Sequence, residues 1–135
     1  MIALLMLAAV PGALNMNVTQ DTISTTVCVK GWSATVRPPQ AYTEGLKYKL
    51  LKHRHGKVGD FELDHAVPLS LGGSPADVRN LWLEPHAGKW NAARKDRLEV
   101  KLHTLVCNGT ITLDQAQHEI WPRWIASYKH RIGGQ

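Results

Sequence analysis

Asp64 and His65 stand side by side, Pro68 and the Gly72-Gly73 pair follow, and Asn80 comes shortly after. Beyond them lies a basic stretch with Asn91, Arg94, Lys95 and Arg97. An acid, an imidazole, two amides and several cations are the groups that phosphodiester hydrolysis needs. That reaction is slow because an anionic phosphate repels nucleophiles and the leaving alkoxide is poor. A divalent cation offsets both difficulties, by neutralising the phosphate and stabilising the leaving oxygen. Histidine can serve as the base near neutral pH without a large pKa shift. Hard metals such as Mg²⁺ prefer oxygen ligands, which Asp64 and the Asn91 amide can supply. Adjacent residues of a regular strand face opposite ways. Asp64 and His65 are therefore expected to share a site only where the strand ends, twists or bulges, and Pro68 makes an irregular end expected.

The elements that must position these groups can be read from periodicity and breakers. Phe61 to Leu69 reads as a strand, Gly72-Gly73 and Pro75 as a loop, and Asn80 to Leu83 as a second short strand closed by Pro85. A helix is expected from about Lys89 to Val106, with Leu98, Leu102 and Leu105 on one face at i, i+4, i+7. Extending that stripe backwards reaches Asn91, which is expected to turn inward toward the hairpin. Upstream, Thr43 is a plausible N-cap for a helix to about His53, and Cys28 to Val36 could hold a short strand ended by Arg37-Pro38-Pro39. Thr112 followed by Gln115 forms a capping-box pattern for a last helix, which Pro122 interrupts.

At 135 residues the chain fits one domain, and 44% apolar with 20% charged residues places it among ordinary globular proteins. The net charge of +5 is unevenly spread. No Lys or Arg precedes Lys30, whereas Lys47, Lys49, Lys52, Arg54 and Lys57 follow one another with no acid among them. That group reads either as a solvated helix face or as a surface for nucleic acid. Met1 to Val10 is apolar and Pro11-Gly12-Ala13 is small and broken, as in a secretory leader, although no cation precedes the apolar run. The run is short of the ~20 residues a membrane span needs. The expected organisation is a leader over residues 1–14, a polar arm over 15–27 and one domain over 28–135. Export is expected, with no stable membrane insertion once the leader is removed. In an exported chain Cys28 and Cys107 are expected to form one disulfide; two buried free thiols are the alternative.

The succession Asp64-His65, Pro68, Gly72-Gly73, Asn80-Leu81 and the helix with Asn91 resembles the HNH endonucleases of the ββα-metal (His-Me finger) fold. Cys28-Val29-Lys30-Gly31-Trp32, Arg37-Pro38-Pro39, Lys95-Asp96-Arg97-Leu98-Glu99 and Val106-Cys107-Asn108-Gly109 resemble, more narrowly, small bacterial HNH-like proteins that often carry an export leader. The resemblance runs from Cys28 to Ile120. It implies an α+β fold, a short hairpin plus helix with flanking helices, and an endonuclease acting on DNA rather than RNA. It also implies roles: Asp64 as acidic metal ligand, His65 as general base, Asn80 as the asparagine that pins the loop and orients the base. Asn91 would be the second metal ligand, with His86 as its rival because the spacing from Asn80 is long. Lys95 would contact the scissile phosphate; from the basic character of the helix itself, Arg94 and Arg97 are expected to bind nucleic acid. One divalent ion is implied, Mg²⁺ first and Mn²⁺, Zn²⁺ or Ni²⁺ as alternatives. A monomer is expected, and an inhibitor protein is a candidate partner. The cysteine pairs that bind structural zinc in many HNH proteins are absent.

Two other classes stay open. The same fold could be a catalytically silent module that binds nucleic acid or envelope partners. An envelope protein that binds metal through some of its seven histidines is the third. Each residue also has an ordinary role available. Asp64-His65 could be a salt-bridged strand end, Asn80 a turn residue and Asn91 a helix cap. Lys95 and Arg97 could pair with acids along a helix surface.

Overall fold

The computed structural model describes residues 12–134, which form a mixed α and β domain. Most of the expected leader therefore lies outside the described residues. Two strands form the only sheet among them: β1 (Phe61–His65) and β2 (Leu81–Pro85), antiparallel, with Phe61 opposite Pro85 and His65 opposite Leu81. The ladder is regular, so alternation sets its two faces. Glu62, Asp64, Trp82 and Glu84 share one face; Phe61, Leu63, His65, Leu81 and Leu83 share the other.

The described residues also form five α-helices: α1 (Trp32–Val36), α2 (Gln40–Leu51), α3 (Ala92–Cys107), α4 (Leu113–Ile120) and α5 (Trp124–Arg131). The first face meets α3. Along that helix the buried positions are Ala92, Lys95, Leu98, Leu102 and Val106, spaced three or four apart as an inward stripe requires. The stripe thus runs back through Lys95 to Ala92 and passes Asn91 by. Asn91 has extended backbone (φ −108°, ψ 174°) and is the N-cap. The opposite hairpin face meets α2, where the Arg54 guanidinium just beyond the helix lies 4.6 Å from the centre of the Phe61 ring. No residue of α2 is buried. It lies on the hairpin as an outer wall.

The hydrophobic core lies beside the hairpin. Leu98, Leu102 and Val106 of α3 meet Leu113, Ala116 and Ile120 of α4 and Trp124 and Tyr128 of α5, with Val67 and Leu71 from the interstrand loop. Thr112 caps α4 as expected, its hydroxyl accepting from the Gln115 amide at 3.1 Å. Pro122 separates α4 from α5. Cys28 and Cys107 form a disulfide that ties the start of the domain to the end of α3 across 79 residues.

The helix expected to be capped by Thr43 starts one turn earlier, with Pro39 at its N-cap. Further expectations need revision. The polar arm is docked on the domain: Leu14 just before it bridges to Gly73, the Asn15 amide donates to the Gly72 carbonyl at 2.8 Å, and Gln20–Thr25 forms a 3-10 turn. Its Val18 and Val27 are buried in the core, and two apolar anchors within a Thr-rich run suffice to dock it. The expected strand between Cys28 and Val36 is instead the short helix α1, entered through Gly31 at φ 82° and ended before Pro38. Finally, β1 stops at His65. Beyond it the backbone N–H and C=O of Val67 are taken by the Asn80 side chain, which leaves no ladder for the chain to continue.

Candidate active site

Asn80 is fully buried and organises the loop between the strands. Its Oδ1 accepts from the Val67 amide at 2.9 Å, and its Nδ2 donates to the Val67 and Ser74 carbonyls, each at 2.9 Å. Its own carbonyl accepts from the Ala66 amide at 2.8 Å. A Cβ at Gly73 would collide with the Val67 carbonyl, so this loop closes only with glycine there. The ordering reaches His65 through the next residue of the loop. The Pro75 carbonyl lies 2.9 Å from His65 Nε2. A carbonyl can only accept, so Nε2 carries the hydrogen and Nδ1 is the free, basic nitrogen of the neutral ring. Burial holds the His65 pKa below its ordinary value, working against the Pro75 hydrogen bond and the Asp64 charge; Arg37 and Lys95 push it the same way as burial.

Asp64 points to the other hairpin face, as the alternation of a regular strand demands. The two side chains nevertheless share a site, because β1 ends here and both line the same two hollows. One, of about 410 Å³, lies between α2 and β1 and is also bounded by Arg37, Lys47 and Glu62. The other, of about 190 Å³, lies between β1, α1 and α3, and Arg37, Asp96 and Glu99 also border it. Asp64 keeps 14% of its side chain exposed.

Around Asp64 sits an ionic cluster that the sequence did not announce. Lys95 is fully buried, and its Nζ donates to Asp64 Oδ2 at 2.8 Å, to the His65 carbonyl at 2.9 Å and to Glu99 Oε1. Burial alone would lower the Lys95 pKa, but the charges of Glu99 and Asp64 outweigh it and hold it above the ordinary value. Glu84 is fully buried on the same face, and no donor reaches either of its carboxylate oxygens. Burial, followed by the proximity of Asp64, pushes its pKa up to about 9. Glu99, Glu62 and Asp96 are also raised, each chiefly by burial; the Asp64 charge pushes the same way and Lys95 works against it. Alternation along β2 does put Glu84 on the face of Asp64, and Glu99 follows Lys95 by one helical turn. Those were the available signals.

The remaining expected site residues are placed as follows. Asn91 spends its amide on the helix end: Oδ1 accepts from the Arg94 amide at 3.2 Å and Nδ2 donates to the Gly88 carbonyl at 3.0 Å. His86 is exposed at the far end of the hairpin, beyond Pro85, roughly 13 Å along β2 from the partner of Asp64. Lys95 has all three ammonium hydrogens engaged within the protein and is sealed from solvent, so it has none left for a phosphate. Arg94 stacks over Trp90 and Tyr128, and Arg97 donates to the Tyr128 hydroxyl at 2.8 Å. Neither arginine borders the hollows at Asp64 and His65. Asp64, His65 and Asn80 are thus brought together, whereas Asn91, His86, Arg94 and Arg97 are not.

Among the described residues no group of three or more His, Cys, Asp or Glu is arranged to enclose a metal ion. Asp64 offers a partly exposed carboxylate beside His65, and Glu62 also borders both hollows. Mg²⁺ accepts such a donor, because it keeps much of its water and takes further oxygens from substrate phosphate. Comparison of the chain with protein-family models, curated proteins and solved structures returns no match.

Proposed function

We propose that this protein is a metal-dependent endonuclease that hydrolyses phosphodiester bonds in DNA, built on an HNH-like hairpin and helix. The observation that carries this reading is that His65, oriented by the Pro75 carbonyl at Nε2, borders the same hollow as Asp64. His65 takes the proton of a water at Nδ1, and the Pro75 carbonyl steadies the imidazolium through Nε2. Asn80 holds the loop that presents that carbonyl. A divalent cation at Asp64 would neutralise phosphate charge and stabilise the leaving oxygen. Lys95 fixes the Asp64 carboxylate at the strand end. Export and monomeric action belong to this reading; the disulfide in a chain of this size fits an oxidising compartment.

The test is plasmid DNA incubated with purified protein in Mg²⁺ or Mn²⁺, alone and with EDTA. Cleavage that needs the metal and is lost in Asp64→Ala supports the reading, and cleavage unaffected by EDTA overturns it. Two observations favour a silent nucleic-acid-binding module instead: Asp64 is already ion-paired with Lys95, and the Asn91 amide is committed to a cap. Salt-sensitive DNA retention with no turnover under any metal would select that second reading.

A further inference from the structure

A cleft that takes a phosphodiester needs cations facing it, and α3 does not provide them. Lys95 is sealed beneath Asp64, while Arg94 and Arg97 are held on the aromatic rings of Trp90 and Tyr128. Arg37 supplies the missing charge. It is exposed, it borders both hollows that flank Asp64 and His65, and no other Lys or Arg does so. It makes no ion pair among the described residues, although Glu44 and Glu62 border the larger hollow with it. Its backbone is extended (φ −62°, ψ 129°) at the end of α1, and the two prolines that follow restrict it to that conformation. The side chain therefore leaves from a fixed joint between α1 and α2. Lys47, also without an ion pair, stands on the α2 wall of the larger hollow.

We propose that Arg37 and Lys47 form the phosphate clamp of this cleft, Arg37 on the phosphate beside His65 and Lys47 on a neighbouring phosphate of the same strand. The proposal rests on the reading that the cleft receives nucleic acid. Arginine suits the inner position, because its planar fork can grip two phosphate oxygens at once, which a lysine ammonium cannot. Lys47 supplies charge without directional demand.

The experiment measures binding of a labelled DNA duplex over a range of KCl in EDTA, so that no turnover intervenes. The proteins are wild type, Arg37→Ala/Lys47→Ala, Arg37→Lys, and Arg123→Ala as a charge control from the separate α4–α5 cavity. Losing two phosphate contacts should lower the slope of log K against log salt by about 1.8, while Arg123→Ala keeps the wild-type slope. Unchanged thermal midpoints establish that the variants are folded. In Mg²⁺, Arg37→Lys should cleave more slowly than wild type while keeping the salt slope. A double variant with the wild-type slope overturns the clamp, even if the protein proves to be a nuclease. A reduced slope in a protein that never cleaves upholds the clamp and removes the nuclease reading. No binding by wild type at low salt overturns both.

Discussion

Lys95 Nζ donates to Asp64 Oδ2 at 2.8 Å from a position with no solvent access. This pair joins the inward stripe of α3 to the end of β1, and the same ammonium also binds the His65 carbonyl. Residues that sequence alone assigned to metal and to phosphate are thus bonded to each other. Lys95→Ala would leave Asp64 and Glu99 facing each other without their counter-charge. Removing one member of a buried ion pair costs about 3–5 kcal/mol. Urea unfolding in EDTA should show a loss of that order; a loss below about 1 kcal/mol would mean the pair contributes little.

Glu84 ties stability to pH. Its folded pKa is raised, so above the unfolded value of 4.5 the folded protein holds a proton that the unfolded chain has released. Stability contributed by that difference is fully present below the unfolded value and is lost as pH rises toward the folded one. Glu84→Gln keeps a neutral group of the same size and removes the titration. In EDTA, the stability of Glu84→Gln relative to wild type should increase between about pH 5 and about pH 8. A constant difference across that range would show that Glu84 does not titrate abnormally.

Asn80→Ala removes every side-chain bond that holds the loop. It leaves the Val67 amide and the Val67 and Ser74 carbonyls without that partner. Each unsatisfied buried group costs about 1–3 kcal/mol, so a loss of at least 2 kcal/mol is expected. Exchange of the Val67 amide should speed up with it. Asn80→Asp should also be destabilised, since its carboxylate can accept from Val67 but would face two carbonyls that need a donor.

The Cys28–Cys107 bridge closes a loop with a separation of 79 residues. In the chain-entropy model such a closure stabilises by about 4.5 kcal/mol. Urea midpoints with and without reductant should differ accordingly, with a steep dependence on reductant only if the bridge is intact at the start.

Several features were legible in the sequence because they depend on local chemistry. Asp64, His65 and Asn80 converge because a short hairpin returns Asn80 to the end of β1, and Thr112 caps as its spacing with Gln115 implies. Asn91 was misplaced because a leucine stripe does not reveal where a helix starts. Placing the cap at Asn91 moves the inward positions to Ala92 and Lys95. Lys95 looked like a surface cation because its burial depends on Glu99, Asp64 and a strand carbonyl, and the last two come from a segment about thirty residues away. Arg37 escaped notice for a similar reason. Its value lies in two hollows assembled from α1, α2, β1 and α3, which no local pattern encodes.

The most direct test of the central claim is plasmid cleavage by wild type and His65→Ala in Mg²⁺ across the pH range. His65 has a lowered pKa, so Nδ1 stays unprotonated below the ordinary value of 6.5, and activity should fall only as pH drops through the folded value. His65→Ala should lose about 10²- to 10⁴-fold in rate, the usual contribution of a positioned base. Equal cleavage by wild type and His65→Ala would contradict the account.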